Sequence, residues 1–507
     1  MPSSFSLKNS APLAIIFIAL AFIYFPYVEF DTMVGRDDNL LVVPLHSIHS
    51  LSDYFSAVAT NKILDVQPLR DLSLYINIKI AQWTNFQSFH LFNLLIHLAN
   101  VFIFYRLLSV IIPSRRMAWM GTALFAFHPV FVSSVGWVSA RKHSLALMFT
   151  LLALLDFMKH RTLTWRAVLS YLASICCHQI HFLLPVWFWF VSRWNKWKLN
   201  RKPFIVMVIS GAIVFAVSAY KTFVVNSLNT TYLKPDFLSN LSRYVLSLGR
   251  AGAIILFPYS ISGFYWQGSL WNLVGLVLIV AVSYLFCRRS RDTVPFLLLA
   301  FLAFIPTFIA FINDTYIYLP LACMIICVCL VVRTFPISSK SVDVMFGVLT
   351  LAVLMKTISI AGMWRSPQAL WKVSYDNEPS PHNAIGLSGH IRDREAGMRL
   401  LTWGAQNYDF EAPYLLDYFF QSVSSSPLPR EEKKKIFQSA WRPLSAYEAN
   451  YAVFLLQGSD EERKTGIEML TRLISGPGIP EPLVPKINSL CHDNECPFMM
   501  NNRETNP

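Results

Sequence analysis

Apolar runs of membrane-spanning length recur through the first two thirds of the chain and are separated by short polar segments. A run of about 17–25 apolar residues is long enough to cross a bilayer as a helix. A run at 241–258 carries Arg243 and Arg250, and we expect it to form a re-entrant or surface-lying helix. The pattern predicts an all-α, polytopic helical membrane protein with about eleven spans. The eleven candidates are 12–30, 88–112, 117–135, 143–158, 166–177, 180–193, 203–223, 270–287, 294–312, 316–334 and 344–363.

The pattern changes at Trp364, where the long apolar runs end. Short amphipathic stretches follow, and Pro, Ser and Gly separate them, at 383–406, 412–424, 430–441, 444–457 and 461–475. Helical pairs of this size suggest a small helical-repeat domain, although no fixed period is visible. We therefore divide the chain into a transmembrane domain at 1–363 with a first outer loop at 31–87, a helical-repeat-like soluble domain at 364–475, and an irregular tail at 476–507.

The composition supports a membrane protein. The chain is 54% hydrophobic and only 14% charged, with a mean hydropathy of +0.44, whereas a soluble protein carries about a quarter charged residues. The formal net charge of +13 comes from the membrane part. In such proteins basic patches report orientation, so no nucleic-acid partner is expected.

The basic segments predict an orientation. They lie at 115–116, 159–166, 193–202 and 288–291. Cytoplasmic loops carry the excess of Lys and Arg, so we place all four in the cytoplasm. With eleven spans, the loop at 31–87 and the whole C-terminal region then lie outside the cytoplasm.

Cys491 and Cys496 stand apart from the other cysteines, which fall in or beside apolar runs. They flank a polar stretch in the tail, which the orientation places in an oxidising compartment. We expect a disulfide between them rather than a metal site, because two Cys and one His provide too few ligands.

Polar residues gather where the spans would meet the outer face. Of the twelve acids in residues 1–363, seven lie just after the first apolar run: Glu29, Asp31, Asp37, Asp38, Asp53, Asp65 and Asp71. Carboxylates near hydrocarbon are costly and are usually kept for a function, although a solvated loop would explain the same charge. Within this loop, residues 67–77 alternate at helical spacing and predict a helix lying along the bilayer surface, with Arg70 and Asp71 at headgroup level.

Two further polar segments would lie on the same side. One runs from His128 to His143 and contains the pair Arg141-Lys142, and the other runs from 313 to 320. Acids that serve as a general base would then face cations that hold a phosphate. Anchoring to lipid headgroups is the alternative explanation for Arg141 and Lys142, but cations outside the cytoplasm run against the usual charge distribution.

These segments resemble those of the transmembrane O-mannosyltransferases that carry tetratricopeptide repeats. Val135-Gly-Trp-Val-Ser-Ala-Arg-Lys142, preceded by His128-Pro-Val, is similar to the family stretch HPVHTEAVAWVSGRKD. The run Gln67-Pro-Leu, followed by Phe89-His-Leu-Phe-Asn93 and His97, resembles RPL…LN…FHLxNxxxH. The segments 313–320 and 364–383 resemble AERYLYLP and the family's W…LW…PxN run. Together the matches cover about residues 20–390 in the same order.

The resemblance implies a GT-C-type fold and an inverting sugar transfer, with mannose expected, from a polyprenyl-phosphate lipid to a hydroxyl of a protein or glycan. It places the site on the lumenal face of the endoplasmic reticulum or the periplasmic face of a bacterial inner membrane.

Asp31 matches the family's acid after the first span and is the expected general base, with Asp37 and Asp38 as nearby substitutes. The lipid-linked sugar is a co-substrate, no cofactor or metal ligand is expected, and metal dependence stays open. The expected phosphate contacts are Arg141, Lys142, Arg70 and His178, and the expected acceptor or donor contacts are Gln67, Asp314, Tyr316 and Tyr318.

The chain departs from the family pattern at several polar positions. Thr32 stands in place of an acid, Gln67 in place of Arg, and Ser133 in place of Glu. His143 replaces Asp, while the Ser-Lys-Glu turn reads as residues 177–179 and the Glu-Arg pair as residues 314–315. A catalytically degenerate scaffold that binds a partner through its C-terminal domain is therefore the alternative function. A transporter fits less well, because the polar clusters gather at one face and no inverted repeat is visible.

Overall fold

The computed structural model describes residues 11–29, 38–42, 44–45, 48–59, 67–81, 87–220, 237–262, 265, 269–306, 314–407, 416, 419–421, 423–424, 428–441, 445–475 and 487. The regular structure of these residues is α-helical with short 3-10 turns, which confirms the all-α fold class. Asp31, Asp37, Cys491 and Cys496 lie outside the described residues. The chain forms two compact units, Met1–Glu378 and Pro379–Pro507, which are described in turn.

The first unit contains seventeen described α-helices. They are α1 (Ala11–Tyr24), α2 (Asp38–Val42), α3 (Leu51–Ala59), α4 (Pro68–Ala81), α5 (Gln87–Ile111), α6 (Arg115–Ala126), α7 (Val132–Gly136), α8 (Arg141–His160), α9 (Trp165–Cys177), α10 (Leu184–Trp194), α11 (Arg201–Tyr220), α12 (Phe237–Leu256), α13 (Leu270–Arg289), α14 (Val294–Phe304), α15 (Tyr318–Val332), α16 (Ser339–Ile360) and α17 (Pro367–Asn377). Helix α4 confirms the helix predicted at 67–77.

The apolar helices make the chain a multi-pass membrane protein. Among the described residues, five helical stretches are long and apolar enough to cross a bilayer: Gln87–Ile111, Val138–His160, Leu270–Arg289, Asp314–Val332 and Ser339–Arg365. A sixth is counted if the bent pair Arg115–Ala126 and Pro129–Gly136 forms one broken span. Other predicted spans are shorter helices, such as α1 and α9, and some run into residues that are not described. The count of eleven spans therefore stays a prediction. Helix α12, which contains most of the run 241–258, is not among the five spanning stretches.

Helix α5 carries a stripe of buried polar side chains at positions 90, 93, 97 and 100, whose spacing of three and four residues places them on one face. The segment 126–140 is broken into short turns, and backbone groups that leave a helix inside a membrane need other partners. The stripe supplies donors to carbonyls in and beside this segment. The pairs are His90 with Val135 (3.3 Å), Asn93 with Trp137 (3.2 Å), His97 with Ala126 (3.3 Å) and Asn100 with Ser144 (2.9 Å).

Helix α8 joins two chemically different ends of the first unit. Arg141 begins it and Arg161 follows its last residue, so its 20 residues separate the two side chains by about 30 Å. At the Arg161 end, contacts join three of the four basic segments, since Arg161 lies over Trp197 and Arg291 over Trp194. Two neighbouring contacts hold the loop before α16 and the start of that helix: Arg289 donates to Thr334, and Arg116, of the remaining segment, pairs with Asp343. The basic segments therefore lie at one end of α8, and Arg141 and Lys142 of the predicted site lie at the other.

Helices α12 and α13 pack with their backbones in direct contact. A Cβ atom built on Gly275 would lie 2.0 Å from the carbonyl oxygen of Gly249, and one built on Gly249 would lie 1.9 Å from that of Asn272. Such distances leave no room for a side chain, so glycine is required here by the close approach of the two helices.

Replacing Gly275 by Ala is therefore expected to destabilise the protein by about 1–3 kcal/mol, because the added methyl group forces the two helices apart. Gly347 is a matched control, because it also lies within a helix and a Cβ there would meet nothing within 4 Å. Gly347→Ala is expected to be neutral or slightly stabilising, since Ala is the better helix former. Thermal unfolding of both variants in the same detergent checks this, and equal melting temperatures would contradict the packing argument.

The second unit has a core of its own and contains five described helices. They are α18 (Pro381–Ser388), α19 (Arg394–Asn407), α20 (Arg430–Ser439), α21 (Ser445–Leu456) and α22 (Asp460–Ile474). The amphipathic stretch at 383–406 covers most of α18 and α19, which a turn between Gly389 and Asp393 separates. Helix α22 begins at a capping box in which Ser459 and Glu462 exchange hydrogen bonds. The core of this unit includes Phe419, Phe437 and Tyr447.

Candidate functional site

The predicted site residues come from four elements that meet at the Arg141 end of the first unit. Arg70 lies on α4, and Arg141 and Lys142 open α8. His178 caps the end of α9, and Tyr316 lies in the short 3-10 turn before α15. Each of these residues lies near a point where a helix begins or ends. The polar side chains are therefore at helix ends rather than within the apolar spans.

Arg141 is fully buried, and residues of two neighbouring helices, α4 and α5, hold it. Its guanidinium donates to the side-chain oxygens of Asn93 (2.7 Å) and Asn77 (2.8 Å). It also donates to the backbone carbonyls of Phe89 (3.0 Å) and Ser73 (3.3 Å). These contacts use four of the five N–H groups that an arginine has. The structure therefore gives Arg141 an internal role, joining α4, α5 and α8.

Arg70 and Asp71 form a buried ion pair on α4. The Arg70 Nε lies 2.7 Å from Asp71 Oδ1, and Asp71 Oδ2 accepts from the Tyr54 hydroxyl at 2.8 Å. Burial, and then the charge of Asp71, raises the pKa of Tyr54, so this phenol stays protonated as a donor. Gln67 accepts from Arg70 at 3.1 Å and donates to Gln179 at 3.3 Å. Gln67, in place of the family's arginine, thus bridges the ion pair to the turn that carries His178.

Two histidine rings and a tyrosine ring pack together beside the Arg70–Asp71 ion pair. The rings of His143 and His178 lie 4.3 Å apart, and Tyr316 meets the His143 ring edge-on at 5.0 Å. Burial, with the positive charges of Lys142 and Arg70, holds the pKa of His178 well below its ordinary value, so the ring is neutral at pH 7. Its Nδ1 accepts the backbone N–H of Ile180 at 3.1 Å, which leaves the proton on Nε2. His178 therefore offers one neutral N–H donor.

Asp38 is the acid of the predicted trio that the structure describes. It is buried, and its Oδ1 accepts from the backbone N–H of Ser139 at 2.8 Å and from the Ser139 hydroxyl. A carboxylate at a helix start satisfies backbone N–H groups and interacts favourably with the helix dipole. The negative charge of Asp38 also attracts the guanidinium of Arg141. Asp38 thus fixes the start of α8.

Asp314 is the centre of a second network of hydrogen-bonded polar side chains. Its Oδ2 accepts from the Ser133 hydroxyl at 2.9 Å, and its Oδ1 accepts from the Tyr265 hydroxyl. Arg250 lies 4.6 Å over the Tyr265 ring and pairs with Glu378. Burial, followed by the charge of Asp314, raises the pKa of Tyr265, which keeps this phenol a donor. Ser133 and Asp314, which replace family residues, are therefore partners of each other.

Tyr318 lies deeper than Tyr316. It is buried, and its ring packs 4.9 Å from Phe131 at a tilt of 37°. The two tyrosines predicted as one contact set are thus separated, since Tyr316 borders the histidines and Tyr318 packs in the core. His90, His97 and His128 are buried and hydrogen-bonded, as expected of span histidines.

Sequence reasoning missed Asn77, Tyr54 and Tyr265. Asn77 stands in the family-like stretch after Gln67, so its position carried a signal, whereas the two tyrosines belong to no motif. In the described part of the chain, no group of three or more His, Cys, Asp or Glu side chains is arranged to bind a metal ion.

Comparisons with known proteins show what the chain is similar to. The protein O-mannosyl-transferase F38B6.6 of Caenorhabditis elegans is 21% identical over 340 residues, which cover 62% of this chain and 49% of that protein. The human protein O-mannosyl-transferase TMTC2 is 27% identical over 209 residues, which cover 40% of this chain and 22% of that protein. The chain thus spans half or less of the length of these relatives. No family model and no solved structure matches it.

Proposed function

We propose that this chain is a divergent member of the transmembrane O-mannosyltransferases with tetratricopeptide repeats, and that it is a membrane glycosyltransferase that moves mannose from a polyprenyl-phosphate lipid to a protein hydroxyl outside the cytoplasm. The observation that carries the proposal is the meeting of Lys142, His178 and the Arg70–Asp71 pair at one end of the helical unit. The names of the two relatives support a transfer of mannose to proteins.

The donor phosphate is assigned to Lys142 and His178. Lys142 is partly exposed and lies close enough to His178 to lower the pKa of that imidazole. An ammonium and a neutral Nε2–H together provide one charged and one neutral hydrogen bond to phosphate oxygens. Arg70, already paired with Asp71, adds a fixed positive potential beside them. Arg141, which uses four of its five N–H groups internally, fixes the first turn of α8, where Lys142 also lies.

The chemical step needs a base for the acceptor. The acceptor oxygen attacks C1 of the sugar while the bond from C1 to the phosphate oxygen breaks, and the polyprenyl phosphate leaves with the electron pair. A carboxylate takes the hydroxyl proton, and Asp31 is our choice because it follows the first span as in the family. Asp38 and Asp314 accept hydrogen bonds from Ser139 and Ser133 inside the protein, so we assign them positioning roles.

A cell-free assay tests the proposal. The purified full chain in lipid nanodiscs is incubated with radiolabelled polyprenyl-phosphate mannose, dolichyl and undecaprenyl, and with acceptor proteins from membranes of the same source. The expected result is incorporation of label into protein that depends on the chain. The absence of transfer with both carriers, from protein that is folded by its melting curve, would contradict the function.

Replacing His178 by Lys restores the residue that the family motif carries and is expected to lower the KM for the donor. A charged hydrogen bond to phosphate is worth about 1 kcal/mol more than a neutral one, or about fivefold in KM. The change in kcat should be small, because the contact is present before and during transfer. His181→Lys is the control, since His181 bonds Thr150 inside the bundle and its replacement should not improve donor use. An unchanged or raised donor KM for His178→Lys, in folded protein, would remove His178 from the phosphate site.

A non-catalytic scaffold is the second candidate function. The observation that favours it is that Asp38, Asp71 and Asp314 all accept hydrogen bonds inside the protein. Under this alternative, the chain would bind lipid or a protein partner without turnover. Donor binding without transfer, measured in the same nanodiscs, would support it over the enzyme.

A further inference from the structure

The end of the first unit opposite the candidate site contains a cavity of about 320 Å³ between the ends of five helices. Its floor is apolar and includes Val191, Phe296 and Leu330, while Trp194 and Trp197 form its walls. Arg161 and Arg333 stand at its mouth, and both are exposed. We propose that this cavity binds the phosphate headgroup of an acidic phospholipid.

The charge at the mouth is net positive. Neither Arg161 nor Arg333 forms an ion pair with a carboxylate of the described residues. Asp292 also lines the cavity, and it is exposed and likewise makes no ion pair there. Arg291 is not part of the cavity lining, but it places a third guanidinium beside the mouth, 5.2 Å over the ring of the lining residue Trp194. Three cations against one carboxylate leave the mouth suited to an anion, and guanidinium groups bind phosphate through paired N–H donors.

The backbone around the mouth is held in an unusual conformation. In the described residues, two non-glycine positions have positive φ, Arg161 at 56° and Lys196 at 57°. Arg161 lines the cavity, whereas Lys196 lies outside the lining, between Asn195 and Trp197. Non-glycine residues with positive φ persist only when their surroundings hold them, and they are concentrated at functional sites. Two hydrogen bonds provide that support, from Thr162 to the carbonyl of Lys198 and from Asn200 to that of Leu163, both at 2.9 Å. The arginine at 161 is therefore built into a fixed turn.

The chemistry of the cavity selects a lipid rather than a soluble phosphate. Indole rings are favoured at the bilayer interface, and basic pockets between helices at the cytoplasmic side bind acidic headgroups. The apolar floor offers a place for the glycerol and the start of the acyl chains. Since α8 separates this cavity from Lys142 by about 30 Å, the lipid would be distinct from a sugar donor.

Native mass spectrometry of the purified full chain tests the proposal, with phosphatidylglycerol and phosphatidylcholine as probes and inorganic phosphate as competitor. Arg161→Gly removes the guanidinium but suits the left-handed backbone, so the fold is kept or stabilised. It should weaken phosphatidylglycerol binding at least fivefold, as should Arg333→Gln. Lys196→Gly is the matched control, because it relieves the same backbone conformation at a position outside the cavity lining, and it should leave lipid binding unchanged.

Three outcomes would overturn the proposal. Arg161→Gly and Arg333→Gln could bind phosphatidylglycerol as tightly as the original protein. Phosphatidylcholine could bind equally well, which would show an apolar groove without headgroup recognition. Inorganic phosphate could displace the lipid at equal molar concentration, which would assign the site to a soluble phosphate.

Discussion

Replacing Asp31 by Asn is expected to lower the rate of sugar transfer by roughly 10²–10⁴-fold, because the amide keeps the size of the side chain but cannot accept the acceptor's proton. The donor KM should change little, since the base does not bind the phosphate. Initial rates measured with radiolabelled polyprenyl-phosphate mannose at saturating donor check both quantities. Thr32→Val, at the adjacent position, is the control and should retain most of the activity.

Asp37→Asn and Asp38→Asn distinguish the three acids of the outer loop. Asp38 bonds Ser139 at the start of α8, so its replacement should lower both the melting temperature and the rate. A rate loss at Asp31 without a loss of melting temperature would identify a catalytic group. If Asp31→Asn retains near-full transfer while Asp37→Asn abolishes it, Asp37 is the base.

The apolar runs predicted the long helices well, because both the lipid and the protein core require apolar side chains on every turn of a spanning helix. Helix α5 at 87–111 was predicted at 88–112, and α13 at 270–289 was predicted at 270–287. The pattern was less successful where an apolar run contains a turn. The run 117–135 is broken at His128, since its freed carbonyls are satisfied by side chains from other helices, such as Thr357 bonding the carbonyl of Phe127 at 2.6 Å.

The roles of polar residues were harder to predict than their positions. The order of the predicted spans and the family resemblance placed Arg141, Lys142, His178 and Arg70 at one face, and the structure brings them to the same end. Spacing alone does not show whether a guanidinium faces a ligand or a backbone carbonyl of a neighbouring helix. The bonds that decide this for Arg141 reach residues 48 to 68 positions away in the chain, so they depend on tertiary packing.

Replacing Arg141 by Ala is expected to cost about 3 kcal/mol or more of stability, because it leaves two asparagine oxygens and two backbone carbonyls buried without their donor. Lys142→Ala, one residue away and partly exposed, should lower the melting temperature less than Arg141→Ala does. It should instead raise the donor KM about tenfold, since it removes a charged contact to phosphate. Thermal unfolding and donor titration of both variants in the same nanodiscs measure the two effects.

The conservative variant Arg141→Lys sharpens the comparison. Lysine keeps the positive charge but has three rotatable donors instead of a planar fork, so it can satisfy only part of the set formed by Asn77, Asn93 and the two carbonyls. Its melting temperature should fall between those of the original protein and Arg141→Ala, with little change in donor KM once folded. If Arg141→Ala instead melts normally and needs more donor, the guanidinium contacts the phosphate and the internal bonds are secondary. That result would move the phosphate site one residue along α8, towards Asn93 and away from His178.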